Sequence, residues 1–450
     1  MTLLNVAPLV LRRRGGIAGI LPIIGFAAST AILATVLGGL TAFLGRAAVV
    51  PEGVDFSDPR ANLPFLLTCA AVATALLVPS AMGLGSAAAK LSLSRRERDL
   101  ASMRLVGGTS AQIGTIAVLD VVLQALIGSL AGIGLHLAVT PALTGLDFGL
   151  APFTIGELML PVWGYPVLVL AVALLSAFSA ALGLLGVVIS PLGVARDSRI
   201  VRMSVIRLAV WVLLVIGFGA AFQIVPRLAG TADDPLLVTT VVLAVFMAVL
   251  VGSVNLVGPF VVWLAARILA AVAPRPALLV GARRLAADPR AGWRSVSGVT
   301  FGLVIAGFLT LLTIFGRSTD PAEAALMTAL NTGGYLTLGI AAVLAAVSTG
   351  VTQTARVLDQ AGVYRSQHVS GAPISALQRA RMAEIGLPLA IAAIIAGVSA
   401  AGLIMPVLGG AAILGPLVQY LLSALVALGL VAVSVLVSAP LVSRVARSEA

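Results

Sequence analysis

The stretch "SRRERDLASMRLVGGTSAQIGTIAVLD" (residues 94–120) passes from charge to apolar helix within one short reach of chain. Leu93, Leu100, Met103 and Val106 fall on one helical stripe, while Arg95, Arg96, Arg98, Asp99 and Ser102 lie away from it. That spacing predicts an amphipathic helix, suited to a membrane surface or to a groove in a partner. Gly107-Gly108 supplies a stop, and Thr109 with Gln112 three residues later predicts a capping box that starts the next helix. A long apolar run follows. The alternative reading of the charged part is a solvated basic loop, since "VARDSRIVR" (194–202) and "GARRLAADPRAGWR" (281–294) are basic as well. Only 94–110 combines a stripe, a stop and a cap, and the other two are read as loops.

Outward from this stretch the chain is apolar from end to end. Of its 450 residues 60% are hydrophobic and only 10% charged, with a mean hydropathy of +1.13. This composition predicts an all-α polytopic membrane protein. A span needs about 20 apolar residues, and ten are expected, at 17–44, 63–89, 111–140, 160–190, 205–227, 236–271, 298–316, 332–355, 383–407 and 413–440. The first follows Arg12-Arg13-Arg14 but is longer than a signal-peptide core, so it reads as a retained helix.

With the N-terminus inside, the outer segments hold only Arg46, Arg60, Arg227 and Arg317 of the 28 lysines and arginines. They hold nine acids: Glu52, Asp55, Asp58, Asp147, Glu157, Asp233, Asp234, Asp320 and Glu323. That asymmetry predicts a plasma-membrane protein with both termini cytoplasmic. It also accounts for the net charge of +11 without nucleic acid as a partner. Cys69, the only cysteine, lies in the second span and reads as a small buried hydrophobe.

The chain resembles itself. Residues 100–120 align with "VYRSQHVSGAPISALQRARMA" (363–383), where Gly371 provides the stop and Pro373 a first-turn proline. At this offset of 263 residues Asp120 falls beside Ala383, one position from Glu384. The expected organisation is a first four-helix repeat over 1–200, two linking helices over 201–272 and a second four-helix repeat over 273–450. Both repeats start on the same side, so they are parallel rather than inverted. The connections on both sides are short, far below the roughly 50 residues a separate domain needs.

Candidate chemistry is sparse. His136 and His368 fall on opposite sides of the membrane and read as helix-end or loop histidines; no metal, cofactor or catalytic group is expected. Lys90 is the only lysine and follows Ala89, so it cannot serve a G-x-x-x-x-G-K-[ST] phosphate loop. Any ATP used must be bound by another subunit. Asp120 and Glu384 are acids within spans, where a charge costs about 2.5–3.5 kcal/mol. One reading gives them a proton-coupling role; the blander one sets them at the membrane interface beside arginines such as Arg379 or Arg381. Gly128/Gly132 and Gly298/Gly302 form G-x-x-x-G pairs, which permit close helix packing.

At these residues the sequence resembles the FtsX-like permease family, the membrane subunits of MacB/FtsX-type ABC transporters. The resemblance rests on Arg95-Arg96-Glu97-Arg98, on Met103-Arg104-Leu105-Val106-Gly107 with Gly108, and on Asp120 where the family commonly has Glu. The second copy keeps Gly371 and Glu384, with Arg365 and His368 before the stop, and lacks the Arg-Arg-x-Glu. "LLVGARRLAADPRAGWRSVSG" (278–298) looks like the entry to a second repeat, matching "LNVAPLVLRRRGG" (4–16). The resemblance implies a permease driven by a cytoplasmic ABC ATPase, in two copies. The segment before the third span would be one coupling helix and the region around Arg365, His368 and Gly371 a weaker second. It implies export of a lipophilic or amphipathic compound (a drug, a peptide or an envelope lipid), or mechanotransmission to an envelope partner. A proton-coupled secondary transporter is the remaining alternative. The large extracytoplasmic domain of MacB-type pumps has no counterpart among these connections.

Overall fold

The computed structural model describes residues 17–50, 58–94, 107, 109–188, 205–229, 235–273, 276–294, 296, 300, 302–304, 321–359, 361–371, 373–408 and scattered positions between 418 and 433. The described elements are helices: α1 (Ile17–Ala47), α2 (Leu63–Ser94), α3 (Ser110–Leu143), α4 (Gly164–Val188), α5 (Val205–Ala229), α6 (Pro235–Val272), α7 (Pro276–Ala287), α8 (Pro289–Arg294), α9 (Pro321–Asp359), α10 (Ala361–Val369) and α11 (Ile374–Leu408). No strand occurs among the described residues. Seven helices are long and apolar enough to cross a membrane, namely α1, α2, α3, α4, α6, α9 and α11. The spans expected at 298–316 and 413–440 lie mostly outside the described residues.

These helices carry apolar residues on every face because bilayer and protein are both apolar solvents for them. On α4, Val167, Leu170, Leu174, Phe178 and Leu182 are exposed in a stripe, while Leu168, Val172, Ser176 and Ala180 are buried. Helix association therefore depends on close approach and on small polar groups. Ser29 donates to the Ala81 carbonyl at 2.7 Å. Ser179 donates to Ser86 at 3.0 Å. α1 is the hub, packing against α2, α3 and α4. Gly128 and Gly132 turn out to face α1: a Cβ on Gly128 would lie 2.5 Å from Phe26 Cβ, and one on Gly132 would lie 2.8 Å from Thr30 Cβ. The first G-x-x-x-G pair thus serves an internal contact.

A second group forms around α6, which packs against α5, α7, α8 and α11. α9 lies along α1 and α2, and α2 also meets α6, which brings the two groups together. The seam it makes runs from Leu21, Leu91 and Val351 at one end to Phe43, Ala329 and Leu330 at the other. α2 ends at the first of these, here called the Gly107 end; the second is the Arg46 end.

The stretch 281–294, read as a basic loop, is instead helical in α7 and α8. Ala282, Leu285 and Trp293 are buried on its inner side while Arg283 and Arg290 remain exposed. Three apolar contacts at helical spacing outweigh the solvation preference of the arginines, whose long stems reach solvent from the far face.

Candidate functional site

Residues 95–106 and Gly108, which include Arg95, Arg96, Glu97, Arg98, Met103 and Arg104, lie outside the described residues. Both ends of that segment are described, and they are held together. Leu93 in the last turn of α2 packs with Ile113 and Ala117 in the first turns of α3 and with Leu184 of α4. Gly107 has φ +101°, a left-handed conformation that costs glycine little and other residues about 1 kcal/mol or more. The expected capping box is present: Gln112 N donates to Thr109 Oγ1 at 3.3 Å and Thr109 N to Gln112 Oε1 at 3.2 Å. The residues on either side of the charged segment are therefore fixed, Leu93 by packing and Gly107 and Thr109 by the turn and cap.

The second region is described throughout most of its length. α10 presents Arg365 and His368 half-buried, with Val363 and Val369 exposed. Gly371 stops it with φ +96°, and its N–H donates to the His368 carbonyl at 3.0 Å. Pro373 immediately precedes α11 instead of occupying its first turn. α7 braces this region from the side: Arg284 Nη2 donates to Gln367 Oε1 at 3.4 Å. A Cβ on Gly281 would lie 3.1 Å from Ala383 Cβ, so α7 meets the backbone of α11 directly.

The structure corrects the register between the two regions by one residue. The left-handed glycines are Gly107 and Gly371, and the helices that follow start at Ser110 and Ile374. Both spacings are 264 residues, not 263. The first glycine of the Gly107-Gly108 pair takes the turn, which sequence identity alone could not decide. In this register Asp120 corresponds to Glu384 itself. Asp120 is 4% exposed, ten residues into α3, or about 15 Å along its axis. Its Oδ2 accepts a 2.7 Å hydrogen bond from Gln124 Nε2 one turn later. Glu384 is half-buried on α11, while Arg381 is buried one turn before it and exposed Arg379 donates to Ser375 at 3.4 Å. The two acids sit on helices with different neighbours, α3 against α1 and α4, α11 against α5, α6 and α7.

His136 lies inside α3, not at its end, and is 1% exposed. Its Nδ1 is 3.1 Å from Thr35 Oγ1 of α1, and its ring tilts over Tyr165 at 6.1 Å. This is a helix-to-helix polar contact. No group of three metal-ligating side chains gathers among the described residues.

One arrangement at the Arg46 end escaped sequence reading. Arg46, in the last turn of α1, donates from Nε to Glu157 Oε1 at 2.8 Å and from Nη2 to Glu157 Oε2 at 3.0 Å. The same guanidinium binds the carbonyls of Ala151 and Pro152 and lies 3.8 Å over the Phe153 ring. Glu157 also caps its own turn, accepting from Thr154 N at 2.7 Å. Thr154-x-x-Glu157 was the available signal; its partner, more than a hundred residues earlier, left none.

The Arg46 guanidinium, followed by the Thr154 bonds, holds the Glu157 carboxyl down to about 2, from an ordinary 4.5. A depressed carboxylate stabilises the fold fully above its unfolded value and loses that contribution as pH falls through the folded one. Solvent screening at a side chain 33% exposed reduces the effect to about 1–2 kcal/mol. Purified protein should therefore lose melting temperature between pH 4.5 and 2. Glu157→Gln should start lower at neutral pH and show a flatter profile over that window. Parallel profiles for the two proteins would contradict this assignment.

Residues 71–189 match the family model of the FtsX-like permease C-terminal domain. No curated protein and no solved structure matches the chain. The matched stretch contains most of α2, the charged segment 95–106, α3 with Asp120, the loop closed by Arg46, and α4. Over residues 71–189 the chain is similar to the FtsX-like permease C-terminal domain, and that stretch lies within a multi-pass membrane protein.

Proposed function

We propose that this chain is the permease subunit of an ATP-driven ABC transporter and that it exports a lipophilic or amphipathic compound. A separate cytoplasmic ATPase, in two copies, supplies the energy. The observation that carries this reading is the family match spanning residues 95–106. Its support in the fold is the fixed frame around that segment: the packed Leu93 on one side and the Gly107 turn with the Thr109 cap on the other. With both flanks fixed, a push from a partner on this segment would pass into α2 and α3. Charge asymmetry supports setting the Gly107 end in the cytoplasm and the Arg46 end outside, in this reading across a bacterial plasma membrane.

The region around Arg365, His368 and Gly371 is the second ATPase contact. Its position relative to α11 matches that of the first segment relative to α3, but it lacks the Arg-Arg-x-Glu, so the two contacts are unequal. In this reading 1–200 and 273–450 are the two permease units and 201–272 links them. Asp120 and Glu384, equivalent in register, each sit ten residues into the helix that follows a coupling region.

Arg95→Ala/Arg96→Ala should abolish or reduce at least tenfold the co-purification of an ATP-hydrolysing subunit, with the permease still monodisperse. Arg365→Ala should weaken it less. If no ATPase accompanies the native chain, or if the double variant retains it fully, the reading fails. Mechanotransmission to an envelope partner is the second reading, favoured by the short described connections at the Arg46 end. ATPase activity that responds to a co-purified envelope protein and to no lipophilic compound would select it. A requirement for a pH gradient without any ATPase would select proton coupling.

A further inference from the structure

The loop between α3 and α4 has a composition unlike a solvated connector. Phe148, Phe153, Leu158 and Leu160 are all less than a tenth exposed. Phe148 and Phe153 meet Phe43 of α1 in a mutual edge-to-face triad, with ring centroids 5.2–5.5 Å apart. Ala329, Leu330 and Leu338 of α9 belong to the same buried cluster. The loop thus lies where α9 meets the first group of helices, at the outer end of their seam.

Its two attachments differ in kind. Toward α1 it is fastened: Arg46 binds Glu157 through two nitrogens and also binds two loop carbonyls. Gly38 of α1 lies directly against the Leu158 carbonyl, where a Cβ would overlap it. Toward α9 it abuts by ring and backbone. The Phe148 ring edge is 3.6 Å from where a Cβ on Gly333 would stand, and a Cβ on Gly149 would be 2.7 Å from Ala325 Cα. Gly149 reaches that position with φ +64° while its N–H donates to Asp147 Oδ1 at 2.8 Å. Charge-assisted bidentate bonds are directional and hold one geometry, whereas a ring against glycine can slide or part without stranding a polar group.

We propose that residues 144–160 form a latch that moves with α1 and closes the outer end of the seam with α9, and that this seam parts at the latch when the permease is driven. The driving motion rests on the transporter reading above; the latch does not. It also gives an exit consistent with an amphipathic cargo, since the parted seam would be lined by Phe43, Phe148, Ala329 and Leu330 and edged by polar backbone.

Amide hydrogen exchange on the full chain in phosphatidylethanolamine/phosphatidylglycerol nanodiscs tests the latch without any partner. Arg46→Ala should raise exchange about tenfold in both 146–157 and the first turns of α9 (321–335). Gly149→Ala deletes no ring and no ion pair; by pushing the loop off α9 it should raise exchange in 321–335 while 151–157 stays protected. If both variants leave 321–335 as slow as in the parent, the latch is overturned. A uniform rise that includes α3 and α4 would mark general destabilisation and overturn it equally. The second arm uses the ATPase complex trapped with ATP and vanadate, where exchange at 321–335 should differ from the nucleotide-free complex. A complex that hydrolyses ATP with unchanged exchange there removes the parting step and leaves the transporter reading standing. Failure to find any ATPase removes that reading and leaves the two variants to decide the latch.

Discussion

Gly132→Leu is expected to detach α3 from α1 and to abolish recovery of folded protein from membranes. At Gly132 the two helix backbones are in contact: a Cβ would overlap the Ala27 carbonyl oxygen and stand 2.8 Å from Thr30 Cβ and 3.0 Å from Ala31 N. Gly128, one turn earlier, meets Phe26 Cβ at 2.5 Å and the Ile23 carbonyl at 2.9 Å in the same sense. None of these neighbours is the far end of a flexible side chain, so the helices themselves must separate. Overpacking at an adaptable site costs about 1–3 kcal/mol. Here separation also breaks the buried Thr30–Ser129 hydrogen bond of 3.3 Å and the Thr35–His136 contact, so the loss should exceed about 3 kcal/mol. Gly134→Leu is the control, since a Cβ there meets nothing within 4 Å and leucine favours helix over glycine by about 0.5–1 kcal/mol. Fluorescence-detected size exclusion after graded heating would separate the two. Equal melting of Gly132→Leu and the parent would show that α1 and α3 do not pack as described.

What the sequence made legible follows from which interactions are local. Thr109, Gln112 and the glycine stop act within a few residues, and their geometry agrees with the reading. Apolar length marked the helices that are described, because spanning a bilayer is a property of each segment alone. The one-residue register error has a definite cause: two adjacent glycines offer two equally permissive turns, and only backbone geometry shows which is used. Gln124 lies one turn from Asp120 and was within reach of a sequence argument. The 141–159 connection was judged by length, although Phe148, Phe153 and Leu158 within it already departed from a solvated loop. Arg46 with Glu157, and Trp293 with Gly258, join distant parts of the chain, and no periodicity encodes such meetings.

That last pair carries the second large effect, because it seats the α7–α8 hairpin beside α10. Trp293 of α8 is 2% exposed, and its indole lies flat against Gly258 of α6, so closely that any Cβ would overlap three ring atoms. Leu285 of α7, also 2% exposed, occupies the matching space at Gly292. Gly258→Leu must therefore expel the indole. The expected local cost is about 3–5 kcal/mol, comparable to losing a buried tryptophan by truncation. The contribution of Trp293, one of four tryptophans, should shift to longer emission wavelength, best resolved with the other three replaced by phenylalanine. Gly252→Leu on the same helix is the control, having nothing within 4 Å of a Cβ. The consequence for function follows from Arg284, whose bond to Gln367 depends on where α7 sits. With the hairpin unseated, the proposed second ATPase contact loses its brace while the proposed first, between α2 and α3, keeps its own frame. ATPase co-purification should then fall several-fold but persist, short of the loss produced by Arg95→Ala/Arg96→Ala. An unshifted Trp293 emission would refute the packing. A shifted emission with undiminished ATPase binding would instead show that α10 is held independently of α7.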